Sequence, residues 1–257
     1  MRKSIAWLPL LLVLFWPQHV QAIVNVDDTM IGEPAEGISG RVNLAVGGAS
    51  GNTDKVDGEA DLQLQLRKGR YTNILAASYA YKKSQGTLDT NKAFLHLRHR
   101  IQFVSRWAVE GYVQAERDPF ARLARRTLAG AGLRWTMLEE AGKSAAYLGL
   151  GGLYERDRLS LVSGSTDPRN TKAWRVGSYL TLKYSLNEQA RLLSTTFYQP
   201  RMSDVADFRL LEEAAVKVRL YEHVDVTFAV QVRHDSQPPQ QVKQTDVTYT
   251  SGLEFHF

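Results

Sequence analysis

The sequence has no cysteine, and beyond its N-terminal segment it has no long apolar run. The first absence excludes a disulfide framework and a lipid-attachment thiol, so an exported fold must hold by packing and hydrogen bonds alone. The second excludes a helical membrane protein, because a spanning helix needs about 20 consecutive apolar residues. A mean hydropathy of −0.30 agrees with that exclusion. It leaves a membrane β-barrel open, since such a wall has one polar and one apolar residue in each pair. Charge of one sign is also scarce. Without residues 1–22 the chain carries 30 basic and 27 acidic residues, a net charge of +3. That mild excess makes no case for nucleic acid, which calls for a basic face on a matching fold.

What is present begins with a leader. Arg2 and Lys3 give a positive start, Ile5 to Trp16 an apolar run too short to span, and Val20-Gln21-Ala22 a small-residue end. This is the order of a secretory signal, with cleavage expected after Ala22. Pro9 and Pro17 interrupt the alternative, an anchor helix. Residues 1–22 are thus read as a signal peptide, 23–37 as a short periplasmic segment, and 38–257 as one barrel domain. Barrels of that size commonly form single units.

From Ile38 onward the dominant pattern has period two. Val56, Gly58, Ala60, Leu62, Leu64 and Leu66 alternate with Asp57, Glu59, Asp61, Gln63, Gln65 and Arg67. A helical period of 3.6 would mix the two sets, whereas a strand separates them onto two faces. The same alternation recurs at Arg41–Val46, Tyr71–Tyr81, Ala93–Phe103, Trp107–Glu116, Thr127–Met137, Ala146–Tyr154 and Trp174–Leu186. It continues, less clearly, from Ala190 to Tyr198, then near Phe208–Leu220, Val224–Val232 and Val247–Phe257. The reading is all-β: an antiparallel transmembrane β-barrel of about twelve strands, an even number as in single-chain bacterial barrels.

The connections carry a second, independent pattern. Short links at Lys68-Gly69, Val104-Ser105, Glu139–Lys143, Asn187-Glu188 and Glu222-His223 alternate with longer polar stretches. The latter are Ser50–Lys55, Lys83–Asn91, Arg117–Arg126, Asp157–Lys172, Pro200–Asp207 and Ser236–Asp246. Short periplasmic turns and longer extracellular loops are the arrangement of an outer-membrane barrel, with both termini in the periplasm. A soluble β-sandwich is the competing architecture. Against it stand strands of about ten residues, the length that tilted spanning strands need. Aromatics near strand ends (Tyr71, Tyr81, Trp107, Trp135, Tyr154, Trp174, Tyr184, Tyr221, Tyr249) also suit interfacial girdles.

Energetics assigns the faces. A basic residue facing lipid at mid-membrane costs about 2–4 kcal/mol, so a one-residue slip exposing Arg98 and Arg100 would cost roughly 4–8 kcal/mol. Folded proteins hold only about 5–15 kcal/mol in total, so the charged set must face inward. Two residues break the pattern. His99 falls on the apolar face, and so does Glu212 unless a bulge near Leu210-Leu211 turns it inward.

Ser50-Gly51-Asn52-Thr53 closes the first hairpin. Ala77-Ser78-Tyr79 precedes a polar loop, Asp118-Pro119-Phe120 leads to Arg126, and Gly130 and Gly132 lie in the next strand. In this ordered series, spanning roughly Ile38 to Phe257, the chain resembles the salt-induced outer-membrane protein family, also called domain of unknown function family 481. It departs at Asn91-Lys92, where Asn-Arg is the family pattern. The resemblance implies an outer-membrane barrel and no assigned substrate. A terminal aromatic, Phe257, with Tyr249, Leu253 and Phe255 in alternation before it, looks like the signal read by barrel-insertion machinery.

The candidate lumen lining carries both signs. Acids are Asp57, Glu59, Asp61, Glu110, Glu116, Glu155, Asp225 and Glu254; bases are Arg67, Arg98, Arg100, Arg134, Arg175, Lys183, Lys217, Arg219 and Arg233. Such a lining either pairs across the lumen and closes it, or borders a narrow, porin-like path that filters solutes by charge. About twelve strands falls between barrels filled by side chains and barrels that hold water; the leading expectation is a narrow pore or transport-related envelope protein, the alternative a structural or stress-response barrel closed by salt bridges, and a rim hydrolase a remote third. No catalytic constellation is expected. His234-Asp235-Ser236 are consecutive on a strand and cannot converge as a triad would. No metal or cofactor site is expected either, because His96 and His99, three apart on a strand, face opposite ways. Arg117, Arg122, Arg125 and Arg126 are expected at the outer rim, where arginine forks suit lipopolysaccharide phosphates. The expected partners are therefore outer-membrane lipid and lipopolysaccharide, with the barrel-assembly machinery during insertion and a solute left open.

Overall fold

The computed structural model describes residues 36–51 and 54–257. The leader, its cleavage point after Ala22, most of the 23–37 segment and the pair Asn52-Thr53 lie outside the described residues. Twelve strands form one closed antiparallel barrel in which each strand pairs with its neighbours in sequence and β12 returns to β1. They are β1 (Gly37–Ala49), β2 (Lys55–Lys68), β3 (Tyr71–Ser84), β4 (Thr87–Val104), β5 (Trp107–Asp118) and β6 (Leu123–Glu140). The second half comprises β7 (Ser144–Leu159), β8 (Asn170–Ser185), β9 (Ala190–Arg201), β10 (Asp204–Tyr221), β11 (Val224–Asp235) and β12 (Thr245–His256).

The period-two pattern maps onto the two sides of the wall. On β4, Phe94, His96, Arg98 and Arg100 are buried inside, while Leu95, Leu97 and His99 are exposed outside. The barrel is therefore inverted relative to a soluble protein: its core is a charged lumen and its exposed wall is apolar. Lys217 and Asp225 are 1% exposed, whereas Val46 is 92% and Leu150 62% exposed. Only a surrounding lipid makes that distribution favourable. Aromatics pair across strands at both rims, Trp107 stacked on Trp135 at 5.8 Å near one end and Tyr154 tilted against Trp174 at 5.0 Å near the other.

One rim is made of the short links 69–70, 105–106, 141–143, 186–189 and 222–223. The opposite rim differs from expectation. Its links are 50–54, 85–86, 119–122, 160–169, 202–203 and 236–244, so three stretches read as long loops are tight turns between extended strands. At 85–86 both central residues have positive φ, Gln85 at 48° and Gly86 at 79°, as a two-residue hairpin turn with the twist of its strands requires. At 119–122 Asp118 Oδ1 accepts from the backbone N–H of Phe120 (3.1 Å) and Ala121 (3.2 Å) around Pro119. Beyond the membrane both faces of a strand meet water, so alternation stops marking strands that nevertheless continue.

Both irregular residues lie on the outer face, His99 as its strand pattern requires and Glu212 without a bulge to turn it inward. No register shift occurs near Leu210-Leu211; the shifts of β10 fall at 204–208 and 219–221. Glu212 stays on the outer face, where the hydroxyls of Ser194 (2.7 Å) and Thr196 on β9 donate to its carboxylate. His99 also faces outward, with its Nδ1 2.8 Å from Asn73 Oδ1 and its ring stacked on Tyr71.

Closure between β12 and β1 is short. Ladder pairs occur at Arg41↔His256 and Val42↔Phe255, and Gly40 and Phe257 exchange two backbone hydrogen bonds of 3.0 Å. Tyr249, Leu253, Phe255 and Phe257 all present exposed side chains.

Candidate functional site

The ladder registers bring the lumen charges together at three depths. At mid-depth Arg100 sits opposite Glu110 in the β4–β5 ladder, and Arg98 opposite Tyr112. Arg100 Nε donates to Glu110 Oε1 at 2.6 Å, Arg98 Nη1 lies 3.6 Å from Oε2, and the Tyr179 hydroxyl donates to Oε2 at 2.7 Å from β8. One carboxylate of β5 thus gathers two guanidinium groups from β4 and a phenol from β8. Buried charge is tolerated only when paired in this way.

A floor of inward glycines makes room for this layer. A Cβ on Gly130 would lie 2.4 Å from the Tyr112 ring, and one on Gly149 would lie 2.0 Å from the Tyr179 ring. The two tyrosines therefore lie flat where the wall has no side chains, and the Arg98 guanidinium rests 5.4 Å and 5.6 Å from their ring centres. The space left between His96, Arg98, Glu110, Tyr112, Tyr179 and Phe197 is about 40 Å³, room for only a few water molecules.

Towards the short-turn rim, Arg134 covers the fully buried Tyr147 ring at 3.7 Å, with Lys183 Nζ at 5.9 Å from the same ring. Lower still, Glu254 accepts from Lys217 at 2.9 Å and from Arg41 at 2.8 Å, and Arg191 pairs with Asp225. On the β1–β2 side Asp57 pairs with Lys55 at 3.4 Å, and Glu59 and Asp61 line the same inner row. Arg67 and Arg219 stand at the short-turn rim, Arg219 exposed.

Towards the opposite rim the lumen widens into a vestibule of about 370 Å³. Its wall is an ion-pair lattice. Arg126 takes Glu116 (2.9 Å) and Asp157 (2.6 Å); Arg175 takes Glu155 and Asp207 (both 2.8 Å); Arg209 takes Glu155 (2.6 Å) and Asp235 (3.1 Å). The links 160–169 and 236–244 meet over it, through Gln240 N to Asp167 Oδ2 at 2.9 Å and Gln240 Nε2 to Thr166 Oγ1 at 2.7 Å. Arg233 lines this space too, and among the described residues its buried Nε and Nη2 meet no hydrogen-bond partner.

Of the sequence-predicted residues, the structure gathers Arg98, Arg100 and Glu110 at mid-depth. It places Glu116, Glu155, Arg175 and Arg233 around the vestibule, and Lys217, Asp225 and Glu254 below. Arg126 is corrected: it is buried inside the lattice and cannot reach lipopolysaccharide. Arg122 reaches across the mouth instead, Nη2 to Gln241 Oε1 at 2.8 Å, while Arg117 and Arg125 are exposed. His234, Asp235 and Ser236 diverge. The His234 ring packs by Phe208, Asp235 takes Arg209, and the Ser236 hydroxyl donates to Ala206 O. Missed at the sequence level were Arg41, Arg191, Asp207, Arg209, Tyr179 and the glycine floor. The paired glycines Gly130/Gly132 and Gly149/Gly151 on adjacent strands were the available signal for the last.

The sequence profile described as "Protein of unknown function, DUF481" matches residues 42–257. No curated protein matches the chain in sequence. Among solved structures, the translocator domain of autotransporter NalP from Neisseria meningitidis superposes with a TM-score of 0.50 at 11% identity, covering 88% of this chain and 90% of that one. The NanC porin superposes at 0.48 with 13% identity, covering 85% and 98%, and the beta domain of the Bordetella autotransporter BrkA at 0.39 with 10% identity, covering 86% and 96%. The likeness to the first is one of fold, which is that of bacterial outer-membrane barrels.

Proposed function

The chain belongs to the family "Protein of unknown function, DUF481", and we propose that it serves the bacterial envelope as an outer-membrane barrel closed to free diffusion at mid-depth. In this reading its short-turn rim and both ends of the chain are periplasmic, and its vestibule opens to the outside. No catalytic role is part of it.

One observation carries the closed lumen. Glu110 holds Arg98, Arg100 and Tyr179 over a glycine floor, and only about 40 Å³ remains beside them. A water-filled pore needs a continuous polar path. Here the Glu110 carboxylate is taken up by Arg98, Arg100 and Tyr179 rather than by water, as in small barrels filled by side chains. In planar bilayers the purified protein is expected to be electrically silent at all salt concentrations. Stable ohmic steps from the wild type would overturn the reading. Tyr179→Ala, which removes the ring from the glycine floor and one partner from Glu110, is expected to open measurable conductance.

A second reading, selective passage of a small anion, is favoured by Arg233. Its planar fork fits carboxylate or phosphate, and a vestibule of about 370 Å³ falls in the size range of small-ligand sites. Here Tyr179 and Glu110 act as a gate rather than a permanent wall.

A further inference from the structure

We propose that a basic patch on the outer wall, above the aromatic girdle of β7 and β8, binds the phosphate groups of lipopolysaccharide in the outer leaflet. The proposal rests on the outward orientation of the vestibule rim given above.

The patch consists of Arg117, Arg125, Arg156, Arg158 and Lys172, all exposed. The ladders place Arg125 opposite Arg158 and Arg156 opposite Lys172, while Arg117 lies one residue beyond the Glu116↔Arg126 pair. Five cations from four adjacent strands thus occupy two neighbouring rows. Like charges directly opposite one another in a sheet repel and destabilise it, so this arrangement calls for an anion from outside the chain.

Among the described residues, none of the five forms an ion pair. The acids beside them in sequence, Glu116, Asp118 and Asp157, are buried on the inner face. The period-two wall therefore sorts the signs here: the carboxylates go to the lumen lattice and the cations are left outside.

Depth selects the ligand. On β7 and β8 Tyr154 and Trp174 form an aromatic pair towards this rim, and such pairs sit at the level of lipid headgroups. Arg156 and Lys172 lie two residues further along the same strands, about 7 Å at strand rise. The Arg156 guanidinium also rests 5.4 Å over the Tyr154 ring. Cations at that height meet the phosphate layer rather than acyl chains. Guanidinium forks grip phosphate oxygens bidentately, which a diffuse surface charge does not.

The test uses the purified protein in detergent, with phosphorylated lipopolysaccharide, the same material after enzymatic dephosphorylation, and inorganic phosphate as probes. Wild type is expected to retain the phosphorylated form through gel filtration. The variant Arg125→Gln/Arg156→Gln/Arg158→Gln/Lys172→Gln is expected to lose at least tenfold of that binding. Lys82→Gln/Lys83→Gln, at the same rim on β3, should retain it, and heat-dependent gel mobility reports that each variant is folded. Equal retention by the fourfold variant, equal binding of dephosphorylated material, or saturation by inorganic phosphate alone would each overturn the proposal. Orientation is read separately, by labelling Ser163→Cys on intact cells with a membrane-impermeant maleimide. Absence of labelling would refute the orientation, whereas the binding experiment judges the patch by itself.

Discussion

The β6–β7 wall and the β12–β1 seam close the same cylinder by different means. β6 and β7 pair along nearly their whole length, from Leu123↔Leu159 to Glu140↔Ser144, and two tyrosines lie against their inner glycines. β1 and β12 pair at Arg41↔His256 and Val42↔Phe255. There the work passes to side chains: Glu254 of β12 holds Arg41 of β1 and Lys217 of β10 in one carboxylate. Backbone pairing makes one side of the barrel cooperative and continuous, while an ionic latch near the short-turn rim completes the other. Local opening should start where ladder bonds are few, so the seam is the soft side.

The sharpest way to break this comparison is to remove the latch. Glu254→Ala leaves Lys217 and Arg41 without their shared acceptor. Loss of one partner from a buried pair costs about 3–5 kcal/mol. The expected outcome is a large fall in the urea midpoint of unfolding, followed by tryptophan fluorescence. A fall no larger than that of a surface variant would show that the seam does not depend on the latch.

The strong side should respond to shape rather than charge. Gly149→Val places side-chain atoms where the Tyr179 ring lies, and forced overpacking costs about 1–3 kcal/mol. The same unfolding measurement should show an intermediate loss, and displacement of Tyr179 should be visible as bilayer conductance. Smallest of all is Lys143→Ala, which removes the exposed pair with Glu140 at the 141–143 turn. Exposed pairs contribute about 0–1 kcal/mol, so the midpoint should hardly move, which sets the baseline for the other two.

Much of this architecture could be read from alternation alone, because alternation is a consequence of having lipid on one side and charge on the other. Asp57–Gln65 on β2 and His96–Arg100 on β4 follow that rule, and their inward direction follows from the cost of placing arginine in lipid. The pattern fades where its cause is missing. The ends of β3 and β4 near Lys82–Thr90 stand at the rim, where neither face need be apolar, and Arg201–Asp207 spans the register break of β10 with Asp207 buried against Arg175, so strands there resemble loops. Glu212 broke the rhythm of β10 and hid Arg209, which lies on the inner row three residues earlier. Arg126 looked like one of four rim arginines because its neighbours in sequence face outside, whereas Glu116 and Asp157, which hold it, come from other strands. The plug was illegible for a similar reason: a glycine's purpose appears only when the ring that lies over it, such as Tyr179 over Gly149, is brought in from elsewhere.

The long strands carry one more consequence. β4, β6 and β10 each have 18 residues, although crossing a bilayer takes about 9–11. Where the ladder runs to the strand ends, as in the β3–β4 hairpin, the surplus forms a stiff, hydrogen-bonded parapet. A protease needs slack chain to seat a substrate, and it finds little on such a battlement. The widest stretches of irregular backbone described, 160–169 and 236–244, are fastened to each other across the mouth. To an attacking enzyme the molecule therefore offers few places to land, and those it offers are tied down.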